Sequence, residues 1–180
     1  VTAQWDIRRE EKGDEASIEN LVRQGFGAGR FAKTAYRLRE GVLAVDRLSF
    51  VAVDSATKTL LASVRFWPIA VGTSRSLLLG PLAVAPDLRG RGIGISLMQR
   101  GIDEARAGNF ETIILVGDEP YYAKVGFARL KPQQIVFPGP VDPSRVLGLA
   151  LKPGALEKLS GPVMRAGIDD PVSAQAAPLG

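Results

Sequence analysis

One stretch constrains this chain more than any other. Residues 86–106 read PDLRGRGIGISLMQRGIDEAR, with glycines at 90, 92 and 94 and arginines at 89 and 91. A glycine in a helix interior costs about 1 kcal/mol relative to alanine, yet these lie directly against a good helix start. The apolar run Leu77 to Ala85 precedes them, and the helix is expected from Ile93 to residue 107. A strand–turn–helix of this kind leaves the first backbone N–H groups of the helix without partners. Those groups carry partial positive charge and bind anions, phosphate above all. Glycines keep bulky side chains away from the donors and permit the turn. Arg89 and Arg91 add donors suited to phosphate oxygens. No acid stands in the first turn, Ile93 to Ser96, so an external anion has room there.

Two familiar phosphate-binding turns do not fit. No lysine follows the glycines as a P-loop requires, and Gly90-Arg91-Gly92-Ile93-Gly94 misses the third glycine of a dinucleotide fingerprint. The chain has no cysteine and no histidine. That removes disulfides, thiolate nucleophiles, cysteine zinc sites and a Ser-His-Asp triad, and no metal site is expected. A net charge of +4 suits an anionic small ligand. Aromatic–basic interleaving of the nucleic-acid-binding type is absent, so no nucleic-acid partner is expected. No apolar run approaches the ~20 residues of a membrane span, and VTAQWDIRREE lacks the apolar region of a signal peptide. The expectation is a cytoplasmic protein with no membrane partner.

Along the chain, QWDIRREE alternates as a strand, and DEASIENLVRQGF has helical spacing with acids in its first turn. GFGAGR reads as a loop. FAKTAYRLREG places Phe31, Ala35 and Leu38 on one helical face, with Gly41 at its end. LSFVAVD and TLLASVRFWPIAV read as a hairpin, and SLLLGPLAVAP as a central strand in which Pro81 marks either a bulge or an edge. TIILVG is a short buried strand, DEPYYAKVG a short helix, and FARL and RVLGLALKP are strands. Residues 1–158 are expected to form one mixed α/β domain, and 159–180, rich in Gly, Pro, Ala and Ser, an extended or disordered tail.

The segment LAVAPDLRGRGIGISLMQRGIDEA resembles the acyl-CoA-binding motif of the GNAT superfamily of N-acetyltransferases, Gln/Arg-x-x-Gly-x-Gly/Ala, here Arg89 to Gly94. The resemblance extends over the strand and helix order from Gln4 to Leu151. It implies a mostly antiparallel twisted sheet of about six or seven strands with a splayed parallel pair, flanked by about four helices. It further implies that acetyl-CoA is the co-substrate. The amides of Arg89, Gly90, Arg91, Gly92, Ile93 and Gly94, with Ser96 in the same turn, would hold its pyrophosphate. The strand residues Leu82, Ala83 and Val84 would hydrogen-bond the pantetheine. GDEPYYAKVGF resembles the family's Tyr-x-x-x-Gly-Phe segment. That makes Tyr122 the group that protonates the departing thiolate, with Tyr121 contacting CoA or packing.

Direct attack of an amine on the thioester, both substrates bound together, is the implied reaction. The acceptor is a small-molecule or peptide amine, and a homodimer is common among such proteins. The family's glutamate base has no counterpart on SLLLGPLAV. Asp118 is the candidate base, with a helix N-cap as its alternative role; Asp46 and Asp54 are weaker candidates. The first two helices and their loop, Phe26 to Gly41, would line the acceptor side, where Arg30, Lys33, Arg37 and Arg39 either favour an acidic acceptor or form a solvated face. An acyl-CoA-binding sensor without turnover is the alternative function.

Overall fold

The computed structural model describes residues 4–27 and 34–166. Nine strands form within them, and seven follow one path in the order β1-β2-β3-β4-β5-β8-β6. These are β1 (Trp5–Arg9), β2 (Phe50–Asp54), β3 (Leu60–Val71), β4 (Ser74–Val84), β5 (Thr112–Val116), β8 (Val146–Ala150) and β6 (Ala128–Arg129). Every neighbour on this path is antiparallel except β4 and β5. The helices are α1 (Glu15–Phe26), α2 (Thr34–Arg37), α3 (Ile93–Ala107) and α4 (Glu119–Tyr122). The mixed sheet, its parallel pair and the four helices are those expected.

The sheet buries both faces because its central strands are apolar in nearly every position. On one face Phe50, Ala52, Val64, Phe66, Leu77 and Ile113 pack with Leu97, Met98 and Ile102 of α3. Helix α3 comes close because Gly101 has no side chain. A methyl there would lie 2.6 Å from Phe66 Cζ and nearer still to Cε2. On the other face Ile18, Leu21 and Val22 of α1 cover Val51, Val53 and Ala83.

Three differences from the sequence reading have physical causes. Helix α2 is a single turn. Thr34 Oγ1 donates to Pro140 O at 2.7 Å, tying its start to a distant segment, and residues 38–41 form turns ending at Gly41, φ +73°. Phe31 lies outside the described residues. The domain does not end at 158. Strand β9 (Gly161–Arg165) pairs antiparallel with Ile69–Val71 of β3 and parallel with β7 (Ile135–Val136). Leu159 and Val163 are both buried in the core against Ile69 and Val71. The packed unit therefore reaches at least to Ala166; residues 167–180 lie outside the described residues. Both missed strands are short and flanked by proline and glycine, so neither shows a period. Finally, FARL forms only the two-residue β6.

Candidate active site

The sheet opens at its parallel pair. Strands β4 and β5 are matched only at Leu77–Ile113 and Leu78–Ile114. Past that point β5 stays with β8, while Leu82, Ala83 and Val84 stay with Val64, Ser63 and Ala62 of β3. The edge of β4 that turns towards β5 is therefore without a strand partner among the described residues, and its polar groups face a gap. The parting coincides with a bulge: Arg65 of β3 stands opposite both Gly80 and Pro81, whose peptide bond is cis. Of the two places open to Pro81, the bulge is the one it occupies.

The glycine turn closes one side of this gap. Gly90 and Gly92 have φ of +79° and +87°, a region that disfavours any side chain. Gly92 is the N-cap of α3, and the first backbone bond of the helix is Ser96 N–H to Gly92 O at 3.0 Å. The N–H groups of Ile93, Gly94 and Ile95 have no acceptor among the described residues. A methyl on Gly90 or Gly92 would meet open space.

A cavity of about 460 Å³ joins the two features. Of the residues expected from sequence, Leu82, Ala83, Val84, Arg89, Gly90, Gly92, Ile93, Gly94, Tyr121 and Tyr122 line it. Arg91, Ser96 and Asp118 do not. Ser96 Oγ donates to Gly92 O at 3.0 Å within its own turn. Gly25, Phe26, Leu88, Ile95 and Lys124 also line the cavity, none of them expected there from sequence. Gly25 could have been suspected as a glycine in a helix: a methyl there would lie 3.5 Å from Arg89 Nη2. Lys124 carries no pattern signal; its Nζ stands 5.7 Å from the centre of the Tyr121 ring.

The two tyrosines form the wall opposite the turn. Their rings meet edge to face at 5.1 Å, and Tyr122 repeats that geometry with Phe127 at 6.2 Å. The Tyr121 hydroxyl occupies the space where a side chain on Gly94 would go. The Tyr122 ring likewise occupies the space above Gly117. Burial, then the neighbouring Tyr121 and the Asp118 charge, push the Tyr122 hydroxyl up to about 12, against a small opposing effect of Arg145. Burial also raises Tyr121.

Asp118 stands outside the cavity lining. Its carboxylate is 78% exposed and lies 3.5 Å from Arg145 Nε. Nor does its side chain cap α4. The N–H groups of Tyr121 and Tyr122 bond the Asp118 carbonyl instead, leaving the carboxylate to turn outward. Asp54 is engaged with the amides of Ala56 and Thr57 in its own hairpin turn.

A larger basin of about 1110 Å³ has Arg65, Trp67, Glu10, Glu15 and Asp46 among its lining. Arg65 makes a two-pronged ion pair with Glu10, at 2.9 and 2.6 Å. Trp67 Nε1 donates to Gly80 O at the bulge. Arg39 packs its guanidinium 5.7 Å from the Tyr36 ring centre and 5.9 Å from that of Trp67. Arg30 and Lys33 lie outside the described residues. Among those described, no cluster of metal-ligating side chains occurs and no helix is long and apolar enough to cross a membrane.

A splayed β4–β5 pair facing a glycine-rich helix start, with a partly buried tyrosine across the gap, defines the acyltransferase class of mixed α/β folds. Residues 15–130 match the model of the Acetyltransferase (GNAT) family, and the chain belongs to that family. It is 28% identical over 119 residues to the uncharacterized N-acetyltransferase YjhQ of Escherichia coli, a match covering 65% of this chain and 66% of that protein. Among solved structures it is similar to the E. coli GNAT family N-acetyltransferase YhbS in complex with CoA. That likeness has a TM-score of 0.76 and 27% identity, and covers 92% of this chain and 91% of the other. A Brucella melitensis GNAT family acetyltransferase in complex with acetyl-CoA shares the fold, with a TM-score of 0.66, 23% identity, and 93% and 99% of the chains covered.

Proposed function

We propose that the protein transfers an acetyl group from acetyl-CoA to an amine, both bound at once. One observation carries the reading: the open edge of β4 and the three unpaired amides of α3 face the same cavity. The residues present fit the ligand. A diphosphate suits the amides of Ile93, Gly94 and Ile95 with the Arg89 guanidinium beside them. An amide-containing arm suits the unpaired polar groups of Leu82–Val84. The bound thioester supplies an acetyl carbon open to attack.

The chain's own part in the chemistry is orientation and hydrogen bonding. The acceptor nitrogen forms the new C–N bond as the C–S bond breaks, and the amine's proton leaves to water. Backbone N–H groups at the β4 edge stabilise charge on the carbonyl oxygen. Tyr122 keeps its proton at neutral pH. With its hydroxyl at about 12 against roughly 8.5 for an ordinary thiol, full transfer to a thiolate runs uphill. Its role is to donate a hydrogen bond to the departing sulfur. No carboxylate is among the described residues lining the cavity, so the amine attacks as the free base. No cysteine is available for an acyl-enzyme.

Thiol release from acetyl-CoA across a panel of primary amines tests the proposal, with CoA binding measured by calorimetry. Amine-dependent release supports it. CoA binding without release on any amine would return the sensor reading in its place.

A further inference from the structure

Arg39 is the unusual cation of this molecule. Its guanidinium lies against two aromatic faces, Tyr36 and Trp67, an arrangement that holds a planar cation in a fixed plane. Its Nε is buried with no hydrogen-bond partner, and no carboxylate pairs with it among the described residues. The side chain as a whole is partly buried, and a cation held even partly from water is ordinarily paired, since an unpaired buried charge is costly. Burial, with repulsion from Arg65, lowers its ionisation to about 10, so it stays charged at neutral pH while lacking an anion. Its neighbour Arg65 differs in this respect: Glu10 grips it with both oxygens, and the charges of Glu15 and Glu19 also act on it.

The position matters as much as the charge. Trp67, whose ring Arg39 packs on, reaches with its indole N–H to Gly80 O. Gly80 begins the bulge where β4 parts from β5. Arg39 is thus one side chain away from Gly80, two residues before Leu82, where the β4 edge enters the cavity. Resting on the transferase reading above, we infer that Arg39 is an acceptor-specificity residue, binding the carboxylate of an amine substrate that carries one. A monoanion fits better than a phosphate dianion. The acids around Arg65 repel a second negative charge. The amine end then faces the Gly80–Pro81 corner.

The test compares acceptors that differ only in the anionic group: 4-aminobutyrate with its amide, and glycylglycine with its C-terminal amide. kcat/KM is measured for the wild type and for Arg39→Gln. The wild-type acid-to-amide ratio is expected to exceed that of the variant by tenfold to about a hundredfold, as for a lost charge-assisted hydrogen bond. Equal ratios in the two proteins, or no turnover of either acid by the wild type, would overturn the inference. Inhibition of the wild type by butyrate, compared with butyramide, gives a reading that needs no variant; equal inhibition counts against it. Arg39→Lys, which keeps the charge but not the fork, is expected to lose most of the preference. CoA calorimetry on each protein separates the two levels. Binding retained with no acid preference sinks this inference alone, whereas no binding by the wild type sinks the transferase reading as well.

Discussion

Replacing Tyr122 with phenylalanine isolates the group on which the chemistry of the tyrosine wall depends. No hydrogen bond to the Tyr122 hydroxyl occurs among the described residues, so Tyr122→Phe is expected to leave stability near neutral pH almost unchanged. At high pH the two proteins part. Burial raises the folded-state value to about 12 from an ordinary 10. An acid whose folded value is raised stabilises the fold fully below the unfolded value, and loses that contribution as pH rises towards the folded one. At pH 11 the unfolded phenol is mostly ionised and the folded one mostly not. Linkage then takes about 1.4 kcal/mol from the wild type, rising to about 2.7 kcal/mol above pH 12. The variant has no hydroxyl to ionise at this position and escapes the loss. Urea denaturation at pH 8, 10 and 11 for both proteins reads the difference directly, and alkaline effects away from Tyr121 cancel in the comparison. Identical pH dependence in the two proteins would refute the burial argument for Tyr122. Turnover of the variant is expected to fall at least tenfold at neutral pH, for want of a donor to the leaving sulfur.

Gly101→Ala is expected to destabilise the protein despite the better helix propensity of alanine. The added methyl meets the fully buried Phe66 ring, and overpacking of about 1–3 kcal/mol exceeds the gain of about 1 kcal/mol; thermal melting checks the sign. Gly92→Ala, with open space for its methyl but φ of +87°, is expected to weaken CoA binding about tenfold by shifting the helix start, as read by calorimetry. Asp118→Asn is expected to change kcat less than twofold in steady-state assays, because the carboxylate is exposed and paired with Arg145.

What the sequence made legible follows from which features are local. The turn at Arg89–Gly94 declared itself because only glycine tolerates the backbone it needs, and α3 begins at Ile93 as its periodicity requires. Tyr122 was singled out by the short motif around it, and Pro81 by being a proline in an otherwise apolar strand. Residues meeting the cavity from distant parts of the chain left no such trace. Phe26 reaches it from the end of α1, and Lys124 from beyond α4. A residue before a helix, as Asp118 is, reads in sequence as an N-cap or a free acid. Its carboxylate turns outward beside Arg145, which stands far along the chain just before β8. Strand β9 was missed for a related reason: its pairing with β3 joins residues far apart in the chain, and Pro162 within it reads as a break.

Backbone amide NMR during a CoA titration bears most directly on the site. If the helix start and the β4 edge hold the ligand, the N–H resonances of Ile93, Gly94 and Ile95 move downfield, together with those of Leu82–Val84, while α3 beyond Gly101 stays still. Shifts confined to the basin around Arg65 and Trp67, with the amides of residues 93–95 unmoved at saturation, would contradict it.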